Sequence, residues 1–344
     1  MSRKRLGVAG IAAAIALAAA LTVVLTAVAG TGRKQAGYKI YLIPKTTTIP
    51  VFTQNGIGGK KAAKELGDTL TYNGPTDVSG PKQVPFINSA AQQGYKGIVI
   101  STPDAAAVAP ALKRAAAKGV KVVSYDADTT PDSRVIFVAP VSASGIGATM
   151  AQAIGKQVGY KGQIAVVSAT PTSPNQNTWI RFMKQEMRKP KYKNMKLVKV
   201  AYGNDQPTDS AKATQGLIAA YPNLKGIVAP TTVGIQAAAQ ELSVEKKCGK
   251  IKLTGLGLPN DNRKYVKNGC LGNFFLWNEQ DLGYLATYVV HNVIAGKLTG
   301  KLGQTFKAGH LGTYKVVVSD GSKPVVVLGP PLIFTKKNID KYHF

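Results

Sequence analysis

The sequence predicts an α/β protein made of two doubly wound lobes, each built on a parallel sheet. Short apolar runs alternate with Ala-rich amphipathic segments from residue 38 onward, and the alternation stops and restarts near residue 140. Strands that alternate with helices form parallel sheets that are covered by helices on both faces. The 344 residues are enough for two lobes with separate hydrophobic cores.

The first series of elements contains five short apolar runs that are typical of buried strands. They are YKIYLIP (38–44), TLTYNG (69–74), GIVIS (97–101), VKVVSY (120–125) and VIFVA (135–139). Amphipathic periodicity predicts helices in the gaps, near 53–66, 80–93 and 104–118.

The second series repeats this pattern after residue 140. Its strand candidates are GQIAVVS (162–168), LVKVAYG (197–203), GIVAP (226–230), IKLTGLG (251–257) and GNFFLW (272–277). Helices are expected near 142–159, 175–189, 208–221, 231–244, 260–268 and 280–296. The tail, residues 313–331, predicts a hairpin with Asp320-Gly321 at its turn.

Residues 1–30 predict a signal peptide or an N-terminal anchor. The basic residues 3–5 precede an uncharged apolar run that closes on Ala-Val-Ala at 27–29, a small-x-small cleavage pattern. The run 6–30 is also long enough to span a bilayer uncleaved. Both alternatives export the rest of the chain, so we expect an extracytoplasmic protein, in the periplasm or at the cell surface.

The strong positive charge raises the question of a nucleic-acid partner. Without residues 3–5 the chain has 41 basic and 17 acidic residues, a net charge of +24, which is typical of proteins that bind nucleic acid. However, the lysines are spread over nearly every predicted helix, and no stripe of basic and aromatic residues is present. We therefore expect no nucleic acid, and we interpret the charge as suited to an anionic envelope or an acidic medium.

The two cysteines, Cys248 and Cys270, each precede an apolar run. If these runs are neighbouring parallel strands, the cysteines lie side by side, and a disulfide is reasonable in an exported chain. The bridge would close a loop of about 20 residues and contribute roughly 3 kcal/mol. Two buried free thiols remain the alternative.

Polar and aromatic residues follow the predicted strands in both series. Ligands of open α/β sheets bind beyond the carboxyl ends of the strands. Carboxylates, amides, one ammonium group and flat apolar faces together suit a small polyhydroxylated molecule. The residues are Lys45, Phe52, Asp126, Asp128, the segment 171–179, Pro230, Thr231, Thr232, Trp277 and Asn278. Helix capping is the alternative role for Asp128 and for Asp281.

The sequence contains no recognisable catalytic arrangement. A Gly-x-Ser-x-Gly elbow is missing, and the histidines and cysteines lack the spacing of metal ligands. Asp126 and Asp128 would have to form the acid pair of a glycosidase, but two acids so close after one strand are poorly placed on opposite sides of a sugar. We therefore expect no enzymatic activity, no metal and no cofactor.

A series of motifs carries a family resemblance across residue 38 to the C-terminus. They are IPK, YNGPTDVSG, GYKGIVIS, VVSYDADT, NQNTW, IVAPTT, LWNEQDLGYLA and LGPPLIFTKKNIDKYHF. Together they resemble the periplasmic sugar-binding proteins of ABC importers with the type I fold, in the rhamnose-binding and autoinducer-2-binding branch.

The resemblance implies two lobes joined by a three-crossover hinge, with crossovers near 140, 277 and 305. The N-terminal lobe would comprise 38–140 and 278–305, and the C-terminal lobe 141–277 and 306–344. A ligand would bind in the cleft between the lobes and be enclosed by hinge closure. An ABC permease in the membrane would be the protein partner, and we expect a monomer.

The resemblance also assigns roles in the pocket. The autoinducer pattern has a lysine after the first strand, here Lys45, and an aspartate in the Asp-x-Asp stretch, here Asp126 or Asp128. This chain has Asn175-Gln176, ahead of Trp179, where that pattern has Asp-Gln. It has Pro230, Thr231 and Thr232 where the pattern has Pro-x-Ala. Because LWNEQDLGY and LGPP are more similar to the rhamnose-type branch, a methylpentose such as rhamnose ranks first and autoinducer-2 second, for uptake or for sensing.

Two further alternatives share the predicted lobes. A sensory role would replace the permease by a receptor domain. A transcription regulator core would require an N-terminal helix-turn-helix, whereas residues 1–37 contain only the signal-like run.

Overall fold

The structure is a computed structural model that describes residues 37–344. The predicted signal peptide or anchor, residues 1–30, lies outside the described residues. Within 37–344, none of the helices combines the length and the apolar character needed to cross a membrane.

The chain begins with alternating strands and helices, as the apolar pattern predicts. These elements are β1 (Lys39–Ile43), α1 (Pro50–Leu66), β2 (Thr69–Tyr72), α2 (Gly80–Gln92), β3 (Gly97–Ile100), α3 (Ala105–Ala117), β4 (Lys121–Tyr125) and β5 (Ile136–Ala139). The observed bounds agree with the predicted ones to within a few residues.

The alternation restarts after residue 140. The elements are α4 (Ala143–Gln157), β6 (Lys161–Ser168), α5 (Pro174–Glu186), β7 (Asn194–Tyr202), α6 (Pro207–Ala220), β8 (Leu224–Ala229), α7 (Thr232–Val244), β9 (Lys252–Gly255), α8 (Pro259–Lys267) and β10 (Phe274–Leu276). The last part adds α9 (Glu279–Ile294), β11 (Thr305–Lys307), β12 (Thr313–Lys315), β13 (Val317–Ser319), β14 (Ser322–Val327) and β15 (Leu332–Phe334).

The first lobe is built on a seven-stranded sheet in the order β13-β14-β5-β4-β3-β1-β2. All pairs are parallel except β13 with β14. Both faces of β1 are buried: Ile40 and Leu42 join one hydrophobic cluster, while Tyr41 and Ile43 join the other. Helices α1 and α9 cover one face, and α2 and α3 cover the other. The predicted doubly wound parallel arrangement is therefore confirmed for this lobe.

The second lobe is built on a four-stranded parallel sheet in the order β7-β6-β8-β9. Helices α4 and α5 pack together on one side, and α6 and α7 on the other. Strand β10 pairs antiparallel with β15 in a separate small sheet. It meets the end of the main sheet through a bridge between Leu256 and Phe275 and a few neighbouring hydrogen bonds.

The tail hairpin joins the first lobe, which corrects two expectations. The predicted turn at Asp320-Gly321 is present, and both residues have the positive φ that such a turn requires. Strand β14 pairs parallel with β5, so residues 317–327 belong to the first sheet rather than to the C-terminal lobe. The third crossover consequently lies at 328–331, between β14 and β15, and not near 305. A local hairpin pattern carries no information about which sheet edge it will join.

Two helices of the first lobe approach each other closely because of their glycines. A Cβ added to Gly58 of α1 would collide with the backbone carbonyl of Gln280, and one added to Gly283 of α9 would collide with that of Asn55. The backbones therefore touch between the middle of α1 and the first turns of α9. This contact holds the start of α9 against α1.

Cys248 and Cys270 form a disulfide. It links the segment after α7 to the segment after α8, just ahead of β9 and β10. The two strands are joined by the Leu256–Phe275 bridge and by a few hydrogen bonds, such as that from Gly272 N to the Leu253 carbonyl, and the disulfide adds a covalent link at their start.

Candidate functional site

The carboxyl ends of the two parallel sheets open onto one pocket between the lobes. The space enclosed by the pocket is about 450 Å³, including adjoining solvent. Its polar lining is Lys45, Asp126, Asn175, Gln176, Asp205, Thr231, Thr232 and Glu279; its apolar lining is Ile49, Val51, Phe52, Trp179, Pro230, Leu256, Leu276 and Trp277. Residues from seven different connections therefore converge at the location expected for a ligand.

Lys45, Asp126 and Asn175 form a polar cluster that joins the two lobes. Lys45 Nζ lies 3.0 Å from Asp126 Oδ2 and 3.5 Å from Asn175 Oδ1. Asn175 Nδ2 donates to Asp126 Oδ1 at 3.3 Å. All three side chains are buried. The two long hydrogen bonds, both made by Asn175, are weak by geometry, so a ligand oxygen can replace them at little cost.

The backbone holds Asp126 in an unusual position. Asp126 follows β4 with φ of 56°, a left-handed conformation that aspartate and asparagine tolerate better than most residues. Ser101 Oγ, after the neighbouring strand β3, donates to Asp126 Oδ2 at 2.7 Å. The carboxylate is thus fixed by groups from its own lobe while Oδ1 remains directed at the other lobe.

Gln176 is oriented by its own lobe in the same way. Its Oε1 accepts hydrogen bonds from Ser168 Oγ at 2.7 Å and from the Ala169 backbone N at 2.8 Å. This pairing identifies Nε2 as the end of the amide that faces the pocket, so Gln176 contributes a donor. Asn175 and Gln176 lie in the first turn of α5, where the positive end of the helix dipole favours ligand oxygens.

Flat apolar faces complete the pocket. Phe52, in the first turn of α1, has its ring centroid 5.8 Å from Lys45 Nζ. Trp179 and Trp277 meet edge to face with centroids 5.8 Å apart. Trp277 Nε1 is buried and makes no hydrogen bond of full geometry within residues 37–344, although it lies close enough to the Glu279 carboxyl to lower the pKa of that group. A buried donor that is so weakly paired in a pocket wall can turn to a ligand acceptor.

Two buried carboxyl groups in the pocket were not predicted. Asp205 follows β7, has φ of 50° and accepts a hydrogen bond from Thr231 Oγ1. Glu279 begins α9 and accepts from Asn55 Nδ2 at 2.7 Å. The sequence does contain a signal for both residues, because each lies in a segment that follows a predicted strand. Asp205 comes after the turn residues Gly203 and Asn204, and Glu279 directly follows Asn278.

Both carboxyl groups have raised pKa values. Burial raises the pKa of Asp205, and the negative charge of Asp126 adds to this rise. The hydrogen bond from Thr231 and the positive charge of Lys45 oppose it. The pKa of Glu279 is raised to about 8, mainly by burial and in part by the negative charge of Asp126, while hydrogen bonds from Asn55 and Trp277 and the charge of Lys45 oppose the rise. Glu279 is therefore largely neutral at pH 7 and can donate its proton to a ligand oxygen.

Glu279 should make the stability of the protein fall as pH rises. Because the folded pKa is raised from 4.5 to about 8, the folded state holds a proton that the unfolded state has lost between these values. We expect the free energy of unfolding to decrease by a few kcal/mol between pH 5 and pH 8.5, which is the order of magnitude to which the difference in pKa between the folded and unfolded states corresponds. Urea denaturation of the wild type and of Glu279→Gln at both pH values measures this, and the variant should lose most of the decrease.

Glu245→Gln is the matched control, because Glu245 is exposed at the end of α7. The control should retain the full pH dependence of the wild type. Equal slopes for the wild type and Glu279→Gln would show that Glu279 is ionised in the folded protein at neutral pH.

Two predicted residues lie outside the pocket. Asp128 forms a bidentate ion pair with Arg134, with 2.7 Å from Nε to Oδ1 and 2.7 Å from Nη2 to Oδ2. Asn278 is exposed and caps α9, because its Oδ1 accepts from the backbone N of Gln280 and of Asp281. The other predicted residues, namely Lys45, Phe52, Asp126, Asn175, Gln176, Trp179, Pro230 and Thr232, all line the pocket.

Comparisons with known proteins agree with this geometry. The family model described as a periplasmic binding protein domain matches residues 40–298. The chain is similar to an ABC transporter solute-binding protein from Clostridium phytofermentas, solved with bound L-rhamnose, with 34% identity and a TM-score of 0.87. The match covers 89% of this chain and 98% of that one.

Two other solved structures are also similar. A sugar ABC transporter protein from Actinomyces odontolyticus is 41% identical with a TM-score of 0.71, and the match covers 89% of this chain and 98% of that one. LsrB from Clostridium saccharobutylicum, solved in complex with AI-2, is 26% identical with a TM-score of 0.83. That match covers 89% of this chain and the full length of LsrB.

Proposed function

The chain belongs to the periplasmic binding protein family, and from this premise we propose that it captures a small sugar, a rhamnose-like methylpentose, in the interlobe pocket. It releases the sugar to an ABC permease in the membrane. The family works outside the cytoplasm, which agrees with the export predicted from residues 1–30. The protein acts by binding and release, without catalysis.

The observation that carries this proposal is the cluster of Lys45, Asp126 and Asn175. It brings a donor, a carboxylate acceptor and an amide from two lobes to within hydrogen-bonding reach of one another. A sugar hydroxyl both donates and accepts, so adjacent hydroxyls can bond to Asp126 and Lys45 at the same time. The apolar face of a sugar ring can pack on Phe52 or Trp179, which line the same pocket.

A methylpentose ranks first for two reasons. The similar Clostridium phytofermentas protein was solved with L-rhamnose and has 34% identity. The pocket also combines hydrogen-bonding groups with apolar side chains, among them Leu256, Leu276 and Val51, and a methyl group in place of a hydroxymethyl group needs such an apolar neighbour.

Autoinducer-2 is the second candidate. It is favoured by Lys45, Asp126 and Gln176, which match the autoinducer pattern and line the pocket, and by the similarity to AI-2-bound LsrB. Asn175 and Thr232 argue against it, because that pattern has aspartate and alanine there. An amide instead of a carboxylate, and a threonine instead of an alanine, change both the charge and the space that the ligand meets.

Calorimetry of the exported part of the chain, residues 31–344, with L-rhamnose and autoinducer-2 side by side tests the proposal. We expect L-rhamnose to bind with a Kd in the micromolar range or below, and at least about tenfold more tightly than autoinducer-2. Tighter binding of autoinducer-2 would reverse the ranking.

A thermal-melt panel of pentoses, hexoses and methylpentoses provides the independent check. The ligand must raise the Tm, because binding to the native state stabilises it by mass action. If no sugar and no autoinducer-2 changes the Tm at millimolar concentration, the proposed function is wrong.

A further inference from the structure

A second cavity lies next to the interlobe pocket, which is called the main pocket below. The second cavity is on the other side of Asp126 and Asn175. It has a volume of about 710 Å³, including adjoining solvent. Asp126, Asn175 and Trp179 line both cavities. The two spaces are therefore separated by a thin partition of side chains that belongs to each of them.

The partition contains a weak contact. Asn175 Nδ2 and Asp126 Oδ1 are 3.3 Å apart, which is long for a hydrogen bond that involves a carboxylate. These are the same two groups that the proposed function assigns to ligand hydroxyls. When they turn to a ligand, this contact is lost, and a substituent on the ligand can extend past it.

The second cavity has a mainly apolar wall. Phe137, Val141 and Val325 contribute from the first lobe and the hinge, and Pro174 contributes from the start of α5. The three carboxylates in its lining are already engaged: Asp126 with Lys45, Asp128 with Arg134, and Asp320 with the Ala143 backbone N at 2.5 Å. Arg181 is exposed and stacks on the Phe182 ring at 4.1 Å, so its charge is solvated at the edge.

We propose that the second cavity holds the neutral, apolar aglycone of a glycoside whose sugar ring occupies the main pocket. This inference rests on the proposed function and deepens it, because the natural ligand would then be a substituted sugar rather than a free one. A charged substituent is disfavoured, because the walls offer no unpaired counter-charge except Arg181 at the edge, and burying an unpaired charge is costly.

The test compares the free sugar with its 4-nitrophenyl α- and β-glycosides by calorimetry. The sugar is L-rhamnose, or, if L-rhamnose does not bind, the sugar that raises the Tm most in the thermal-melt panel. We expect one anomer to bind at least about tenfold more tightly than the free sugar, because an aromatic ring leaves water. Thr178→Phe narrows the second cavity only, since Thr178 lines it but not the main pocket.

The variant Thr178→Phe should lose at least about tenfold in affinity for the glycoside and keep the free sugar within about threefold. Thr149→Phe is the matched control. The hydroxyl of Thr149, on α4, donates to the backbone carbonyl four residues earlier, as the hydroxyl of Thr178 does. Thr149 lines neither cavity. It should bind both ligands like the wild type.

Each other outcome overturns the inference. If the free sugar binds and neither glycoside does, or if Thr178→Phe binds the glycoside like the wild type, the second cavity does not hold the aglycone. If neither the sugar nor a glycoside binds, the proposed function fails as well. Release of 4-nitrophenol that Asp126→Asn abolishes would identify a glycosidase instead.

Discussion

Replacing Asp126 by asparagine should reduce sugar affinity by at least about 100-fold, because charge-assisted hydrogen bonds contribute roughly 1.5–3 kcal/mol each and Asp126 can make two. Asparagine is the right replacement, since it tolerates the left-handed backbone at this position, where φ is 56°. The pocket would also lose the counter-charge that lies 3.0 Å from Lys45. The uncompensated ammonium group must then find solvent or displace a ligand hydroxyl.

Calorimetry measures the affinity of Asp126→Asn, and urea denaturation measures its stability. We expect the stability to change much less than the affinity, because Lys45 borders the pocket and can be reached by water there. Wild-type affinity in this variant would mean that another carboxylate, Asp205 or Glu279, makes the principal contact with the ligand.

Asp128→Asn should have the opposite pattern, with a loss of stability of about 3–5 kcal/mol and little change in affinity for the free sugar. The side chain of Arg134 is completely buried, with 0% exposure, and Asp128 supplies its charge partner. Arg134 also donates to the carbonyl of Pro324 at 3.2 Å, so the ion pair fastens the tail hairpin to the end of β4. Without the carboxylate, the guanidinium is buried without compensation.

The double variant Asp128→Leu with Arg134→Met separates charge from packing. Replacing a buried ion pair by apolar side chains of similar volume is often neutral or stabilising, so the double variant should recover much of the stability lost in Asp128→Asn. Denaturation of Asp128→Asn at the wild-type urea midpoint would contradict the role that we assign to this pair.

The contrast between these two aspartates shows where prediction from sequence ended. Residues two apart in an extended segment point to the same face, so the sequence made both Asp126 and Asp128 candidates for the pocket, with helix capping as the alternative role of Asp128 alone. The left-handed conformation of Asp126 breaks this alternation. One carboxylate therefore enters the pocket, while the other pairs with Arg134, six residues later in the chain.

Glu279 and Asn278 illustrate the same limit at the start of α9. The strand-end rule correctly selected this connection but named the exposed Asn278, which caps the helix. The neighbouring Glu279 is buried in the pocket wall. Which of two adjacent residues faces inward depends on the close packing of α1 against α9 at Gly58 and Gly283, which no local pattern reports.

The sequence by itself determined the two series of strands and helices, the parallel sheets and five of the seven connections that line the pocket. These follow from short-range periodicity and from the rule that ligands bind beyond the carboxyl ends of strands. Only the tertiary structure decided that the tail hairpin joins the first sheet, that the third crossover lies at 328–331, and that Asp205 and Glu279 share the pocket with Lys45. These features depend on contacts between segments far apart in the chain, where packing and burial outweigh local preference.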